Sequence, residues 1–110
     1  MLFAIVRKDK PGMADVRARL LSVHAEYQKA FMPMIVFGGG LVVDGTDVGK
    51  FEYNETGIRD VVGNVLIVDV PDRATAEAMH RDDPYTKGGV FETVIIEPFL
   101  QRVPLPDGQA

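Results

Sequence analysis

Few side chains in this sequence can exchange a proton near neutral pH. Its 110 residues include two histidines, His24 and His80, and no cysteine. Without cysteine the chain has no thiolate nucleophile, no thiolate metal site and no disulfide. The single serine, Ser22, stands in no nucleophile motif. Because the two histidines fall on separate predicted helices, we predict no metal ion and no cofactor, which leaves acid–base chemistry by histidine.

His24 has the position that favours such chemistry most. Apolar residues recur at steps of three and four between residues 13 and 31, which predicts a helix with one buried stripe. The stripe comprises Val16, Leu20, Val23, Tyr27 and Phe31. His24 falls within it, whereas Arg17 falls away from it. A buried imidazole needs a hydrogen-bond partner: a carboxylate would make it a general acid or base, and a backbone carbonyl an ordinary core histidine. The pattern leaves both open.

A carboxylate at the end of a helix is the second candidate for chemistry. Residues 73–82 follow a good N-cap, Asp72, and predict a second helix, which the sequence Asp-Pro-Tyr at 83–85 ends. There the Asp83 carboxylate would oppose the helix dipole, a mild cost that is tolerated where a function uses the group. The commoner case is an aspartate in a solvated turn without such a function. His80, near the end of the same helix, is expected to face solvent.

Four strands and two helices must position these side chains. Strands are predicted at residues 2–6, 34–43, 64–70 and 90–100, and helices at 13–31 and 73–82. The order strand, helix, strand, strand, helix, strand is typical of an α+β, ferredoxin-like βαββαβ fold with a four-stranded antiparallel sheet. Within the second strand, the glycines at 38–40 indicate a bulge or a close approach of backbone.

The length of the chain fits one domain. We predict that residues 1–103 form it, with an irregular insertion at about 45–62. The insertion contains one candidate short strand at 51–53. Residues 104–110 are rich in proline and glycine and predict a loose tail.

Charge and hydropathy argue against several classes of partner. Twelve Lys and Arg against 16 Asp and Glu give a net charge of −4, which argues against nucleic-acid binding through a basic face. The apolar run 2–6 precedes Arg7 and Lys8, which is the reverse of signal-peptide order, and it is far shorter than a membrane helix. We therefore expect a cytoplasmic protein without a membrane partner.

Two helices can cover only one face of the predicted sheet. The strands at 64–70 and 90–100 carry apolar residues on both faces. An uncovered apolar face would form a large exposed patch, so we predict a homodimer through the open face of the sheet.

Together these residues resemble the YciI-like (YCII-related) family. The resemblance rests on the apolar run 2–6, the turn 9–12, an Arg-bearing helix with His24, the tripeptide 83–85 and the run 87–94. It implies a dimeric ferredoxin-like α+β barrel and a His/Asp pair proposed as an active site. One branch of the family resembles a dehydrochlorinase of a chlorinated hydroxyquinol, and related barrels include muconolactone isomerases.

The resemblance also implies roles for individual residues. His24 matches the family histidine, Asp83 is the first candidate for the aspartate, and Asp44 is the second. Two motifs depart from the family pattern: Gly-Pro-Leu reads Gly-Gly-Leu at 39–41, and Gly-Ser reads Gly-Asn at Asn64. The second change removes a hydroxyl, although an amide still donates and accepts hydrogen bonds.

The leading hypothesis is a small enzyme that uses His24 and Asp83 for acid–base chemistry. The reaction would be an elimination, dehydrochlorination or isomerisation of a small cyclic or aromatic molecule. Candidates for pocket or supporting roles are Asp44, Asn64, Tyr27 and Tyr85. The alternative is a non-catalytic module of the same fold that binds a small ligand or regulates, and a structural accessory subunit is a third hypothesis.

Overall fold

The computed structural model describes residues 1–108. The strands are β1 (Leu2–Asp9), β2 (Ile35–Val42), β3 (Val61–Asp69) and β4 (Phe91–Pro98). The helices are α1 (Ala14–Lys29), α2 (Arg73–Arg81) and the one-turn α3 (Pro84–Lys87). Short 3-10 turns lie at Met32–Met34, Val48–Lys50 and Gly57–Asp60. Of the predicted tail, residues 104–108 are described without helix or strand, and residues 109–110 lie outside the described part.

The four strands form one antiparallel sheet in the order β2-β3-β1-β4. This order, with the strand and helix sequence along the chain, confirms the ferredoxin-like βαββαβ prediction. Along β1 the buried residues alternate: Phe3, Ile5, Arg7 and Asp9 face the helices. Phe3 and Ile5 pack in one apolar cluster with Met79 of α2. The helix face of β1 thus begins apolar and ends with two buried charges.

The buried face of α1 differs from the predicted one by about one residue. Its buried residues are Arg17, Ala18, Leu21 and His24. Arg17, predicted to point away, is 2% exposed, and Val23, predicted to be buried, is 54% exposed. The prediction was wrong because Arg17 is held inward by the buried carboxylate of Asp9, an attraction that hydrophobic periodicity does not register.

The predicted insertion at about 45–62 packs on the same side of the sheet as the helices. Residues 51–53 form no strand, and β3 begins at Val61 rather than at residue 64. Ile58 and Val61 are buried against Ala18 and Leu21 of α1. The segment is therefore anchored on the helix layer by apolar contacts that its irregular pattern did not predict.

The glycine run lies inside β2, as predicted. The register shifts between Ile35 and Phe37 and again between Leu41 and Val42, so irregularities flank the glycines on both sides. A Cβ atom on Gly38 would lie 2.5 Å from Leu66 Cδ2 and 2.8 Å from the Val65 carbonyl oxygen. The close approach of backbone predicted for this run is confirmed.

The face of the sheet opposite the helices is apolar along a cross-strand row. Val6 of β1 is paired with Val65 of β3 on one side and with Ile95 of β4 on the other. Ile95 is 55% exposed, and Phe37 of β2, paired with Ile67, is 62% exposed. Within residues 1–108, no helix has the length and apolar character to cross a membrane.

Candidate active site

A buried histidine and a buried aspartate meet between α1 and α3. His24 Nδ1 lies 2.9 Å from Asp83 Oδ1, and the two residues are 5% and 3% exposed. Asp82 caps the C-terminus of α2, and Asp83 is the N-cap of α3, where its Oδ1 accepts a hydrogen bond from the backbone N–H of Tyr85 at 2.9 Å. Asp83 follows the C-cap of α2, as expected, but its carboxylate also stands at the start of α3, where the Tyr85 N–H stabilises its charge.

Arg7 of β1 completes the surroundings of this carboxylate. Its Nη1 donates to Asp83 Oδ2 at 3.1 Å, and the Arg7 side chain is 1% exposed. Burial alone would raise the pKa of Asp83, but the hydrogen bond with His24 and the charge of Arg7 outweigh it and lower that pKa. Asp83 is therefore ionised at neutral pH, and as an acceptor it binds the Nδ1–H of His24, which directs Nε2 of the ring away from the carboxylate.

Arg7 also connects Asn64 and His80 to the pair. Its Nε donates to Asn64 Oδ1 at 2.9 Å, and its Nη1 lies 3.4 Å from His80 Nδ1. The prediction that His80 faces solvent was wrong: it is partly buried, with Thr86 Oγ1 3.3 Å from the same ring nitrogen. Burial and the charge of Arg7 lower the pKa of His80, so its imidazole is neutral at pH 7.

A second buried ion pair lies beside the first and was missed by the sequence analysis. Arg17 Nε and Nη2 donate to the two carboxylate oxygens of Asp9 at 2.6 and 2.8 Å. A signal was present, because Arg7 and Asp9 continue the alternation of Phe3 and Ile5 along β1. A strand that carries charges on its buried face requires opposite charges from the layer above it.

A large cavity lies between α1, the glycine-bearing strand β2 and the insertion. Its volume is about 580 Å³, within the range of small-molecule sites. The polar residues that line it are Arg17, His24, Gln28, Tyr53, Asn64 and Tyr85. Its apolar walls include Ile35, Phe51, Ile58, Val61 and Leu66. The Tyr85 ring stacks on His24 with centroids 4.1 Å apart and planes inclined by 15°.

Tyr27 and Asp44 lie outside this cavity. The Tyr27 hydroxyl donates to the Met79 carbonyl oxygen at 3.0 Å and lines a cavity of about 20 Å³ on the side of Arg7 and Asp83. Asp44 is exposed in the turn after β2. Among the described residues, the carboxylate bonded to His24 is that of Asp83, so the structure does not bring the second candidate aspartate to the histidine.

This arrangement is suited to proton transfer. A neutral imidazole whose Nδ1–H is held by an ionised carboxylate can accept a proton at Nε2 and return it. Nε2 makes no hydrogen bond to residues 1–108, and the ring lines the large cavity. In the same part of the chain, no three His, Asp or Glu side chains gather as a metal site would require.

Comparison with known proteins identifies a family and a similar enzyme of known structure. The family model of the YCII-related domain matches residues 1–100. The chain is 30% identical to 5-chloro-2-hydroxyhydroquinone dehydrochlorinase from Burkholderia phenoliruptrix, solved in complex with 2,5-dihydroxybenzoquinone. The TM-score is 0.79, and the match covers 92% of this chain and 95% of that one.

A structure described as an antibiotic biosynthesis monooxygenase matches more weakly. It is 18% identical with a TM-score of 0.47, over 92% of this chain and 100% of that one. No curated protein matches the chain significantly.

Proposed function

The chain belongs to the YCII-related family, and from this membership and the His24–Asp83 geometry we propose that it is a small-molecule enzyme with His24 as its general base or acid. In this proposal Asp83 orients the ring and stabilises the imidazolium that forms when Nε2 accepts a proton. Arg7 keeps the carboxylate ionised. We also propose a cytoplasmic location.

The reaction class is an elimination or isomerisation on a small ring. In an elimination, Nε2 of His24 takes a proton from the substrate, the released electron pair forms a new double bond, and the leaving group departs with its own pair. The similar enzyme is a dehydrochlorinase of a chlorinated hydroxyhydroquinone, which supports this class for a chain of the same family. For the present chain a ring that carries acidic hydroxyl groups is the substrate to test first.

One observation carries the proposal. The imidazole of His24 is bonded to a buried, ionised carboxylate and lines a cavity of about 580 Å³. An ordinary core histidine needs neither feature, since a backbone carbonyl would satisfy it. The family relationship and the cavity favour the enzyme over an accessory subunit, which would need no open space beside the ring.

Replacement of His24 tests the proposal directly. We expect His24→Gln and His24→Ala to reduce turnover of chlorinated hydroxyquinols or of lactones by about 10²- to 10⁴-fold. Ser22→Ala, at an exposed position on the same helix, is the matched control and should keep the wild-type rate. Unchanged turnover by folded His24→Gln protein would end the catalytic claim.

The same variants separate the enzyme from the alternative of a non-catalytic ligand-binding or regulatory module. A binding module would be stabilised against heat by a ligand both before and after His24→Gln, and it would form no product. An enzyme forms product, and only its product formation depends on His24.

We further propose that two copies associate through the open face of the sheet. The row formed by Val6, Val65 and Ile95 is apolar, and the helices pack on the opposite face. A second copy of the same face would cover these side chains by a two-fold arrangement.

A further inference from the structure

The electrostatic character of the large cavity is unusual for an acidic protein. Of the described residues that line it, Arg17 is the only Arg, Lys, Asp or Glu. No carboxylate is among them, because Asp9 and Asp83 lie behind Arg17 and His24 as their hydrogen-bond partners. The cavity therefore offers hydrogen-bond donors and one positive charge to whatever enters it.

Arg17 has donor capacity left after it has bound Asp9. The bidentate pair engages Nε and Nη2, and Nη1 has no hydrogen-bond partner within residues 1–108. The guanidinium carbon lies 4.7 Å from the centre of the Tyr85 ring, so the aromatic face helps to hold the plane of the guanidinium. A fixed, desolvated guanidinium with a free N–H group recognises anionic oxygen.

The Tyr85 hydroxyl, which belongs to another residue that lines the cavity, also lacks a hydrogen-bond partner among residues 1–108. Tyr85 is 1% exposed, and its hydroxyl forms no hydrogen bond with the described residues, although such a bond would offset its loss of water. Burial, reinforced by the nearby Tyr53, raises the pKa of Tyr85 to about 12 and outweighs the neighbouring Arg17, whose charge and N–H donors lower that pKa. The hydroxyl therefore keeps its proton and can donate it. A buried donor without an acceptor beside a cavity points to an acceptor supplied by a ligand.

We propose that Arg17 and Tyr85 form a subsite for an ionised oxygen on a small planar ring, such as a phenolate or an enolate. The subsite rests on the proposed function, since it defines how the substrate of His24 is held. Apolar walls such as Phe51 and Leu66 accommodate the ring, and Arg17 and Tyr85 bind its anionic oxygen. Because Tyr85 stacks on His24, the anion lies close to the imidazole that exchanges the proton.

The test compares an anionic ring with an uncharged one of similar shape. The anionic probe is 2,5-dihydroxybenzoquinone, whose hydroxyl groups are acidic enough to ionise at neutral pH, and the uncharged probe is 2,5-dimethoxybenzoquinone. We expect calorimetric titration of the full chain to give an affinity at least about tenfold higher for the anion, as for a charge-assisted hydrogen bond.

Tyr85→Phe removes only the hydroxyl that lacks a partner, so we expect it to fold with unchanged or higher thermal stability. Its affinity for the anion should fall by about tenfold, and its affinity for the uncharged ring should stay the same. Tyr27→Phe is the matched control, because its hydroxyl is bonded to Met79 and lies outside the large cavity. It should keep the wild-type preference for the anion.

Three outcomes would overturn the subsite. They are absence of anion binding by the wild type, equal affinity of the wild type for the two rings, and an unchanged preference for the anion in Tyr85→Phe. Failure of the proposed function gives a different pattern, in which His24→Gln keeps the wild-type rate of turnover while the anion preference still depends on Tyr85. Binding of an unreactive probe thus tests the subsite without turnover.

Discussion

Arg7 Nη1 donates to Asp83 Oδ2 at 3.1 Å across 76 positions of sequence, and both side chains are buried. The contact joins β1 to the start of α3 and holds the carboxylate that orients His24. The same ion pair therefore contributes to the fold and to the candidate site. Removal of one partner would leave the other as a buried, uncompensated charge.

Asp83→Asn should destabilise the fold more than an exposed substitution does. Asparagine can still cap α3, so the loss comes from Arg7, which becomes an unpaired buried cation. We expect the free energy of unfolding to fall by about 3–5 kcal/mol in urea titrations. Addition of Arg7→Met should restore part of it, and a double variant less stable than Asp83→Asn would contradict the explanation.

His80 should make stability depend on pH. Burial and Arg7 lower its folded pKa below the model-peptide value of 6.5. As the pH falls below 6.5, the unfolded chain takes up a proton that the folded chain does not bind. The stability that His80 contributes above pH 6.5 is therefore lost progressively as the pH approaches the folded pKa of His80. We expect the thermal midpoint to decrease as the pH is lowered from about 7.5 to about 5. In His80→Gln the fall should be smaller, and equal falls in both proteins would refute this role.

Gly63 of β3 should be far less tolerant of a side chain than Gly39 of β2. A Cβ atom on Gly63 would overlap the carbonyl oxygen of Arg7 and lie 3.1 Å from Leu41 Cδ1, whereas one on Gly39 would have no atom within 4 Å. We expect Gly63→Ala to lower the free energy of unfolding by about 1–3 kcal/mol. Gly39→Ala should change it by about 0.5 kcal/mol or less, and similar losses in both variants would count against the close approach.

Local sequence patterns predicted the helices and strands because these elements depend mainly on residues that are close together in the sequence. Apolar alternation and steps of three and four residues are enough to order four strands and two helices, and that order is enough to suggest the sheet. The buried stripe of α1 was misplaced because Arg17 is buried by its contact with Asp9, which lies on another element. The exposure of His80 was mispredicted for the same reason, since Arg7 comes from β1.

The candidate site also depends on contacts between residues that are far apart in the sequence. His24 could be singled out as a polar residue on an apolar stripe, but its partner lies 59 positions away and no spacing rule identifies it. The resemblance to a family ranked Asp83 ahead of Asp44, and the folded chain brings Asp83 to the ring. For Arg7 and Arg17 the sequence offered no signal beyond the alternation along β1. Both side chains are buried against carboxylates that only the folded chain brings to them.

Ile95→Lys should separate the two copies of the proposed homodimer. Ile95 lies on the open face of the sheet, paired with Val6, and is 55% exposed in the single chain. In a two-fold arrangement each interface would receive two buried ammonium groups, so association should weaken strongly. Val94→Lys introduces the same charge at the neighbouring position, which points to the opposite face of β4, and should leave the dimer intact.

Light scattering coupled to size exclusion measures the outcome. We expect the mass of a dimer for the wild type and for Val94→Lys, and the mass of one chain for Ile95→Lys, with far-ultraviolet circular dichroism unchanged in all three. A wild-type protein with the mass of one chain would contradict the proposed dimer. A folded Ile95→Lys protein that remains dimeric would show that the two copies associate through a surface other than the row of Val6, Val65 and Ile95, because two buried ammonium groups cannot be accommodated without partners.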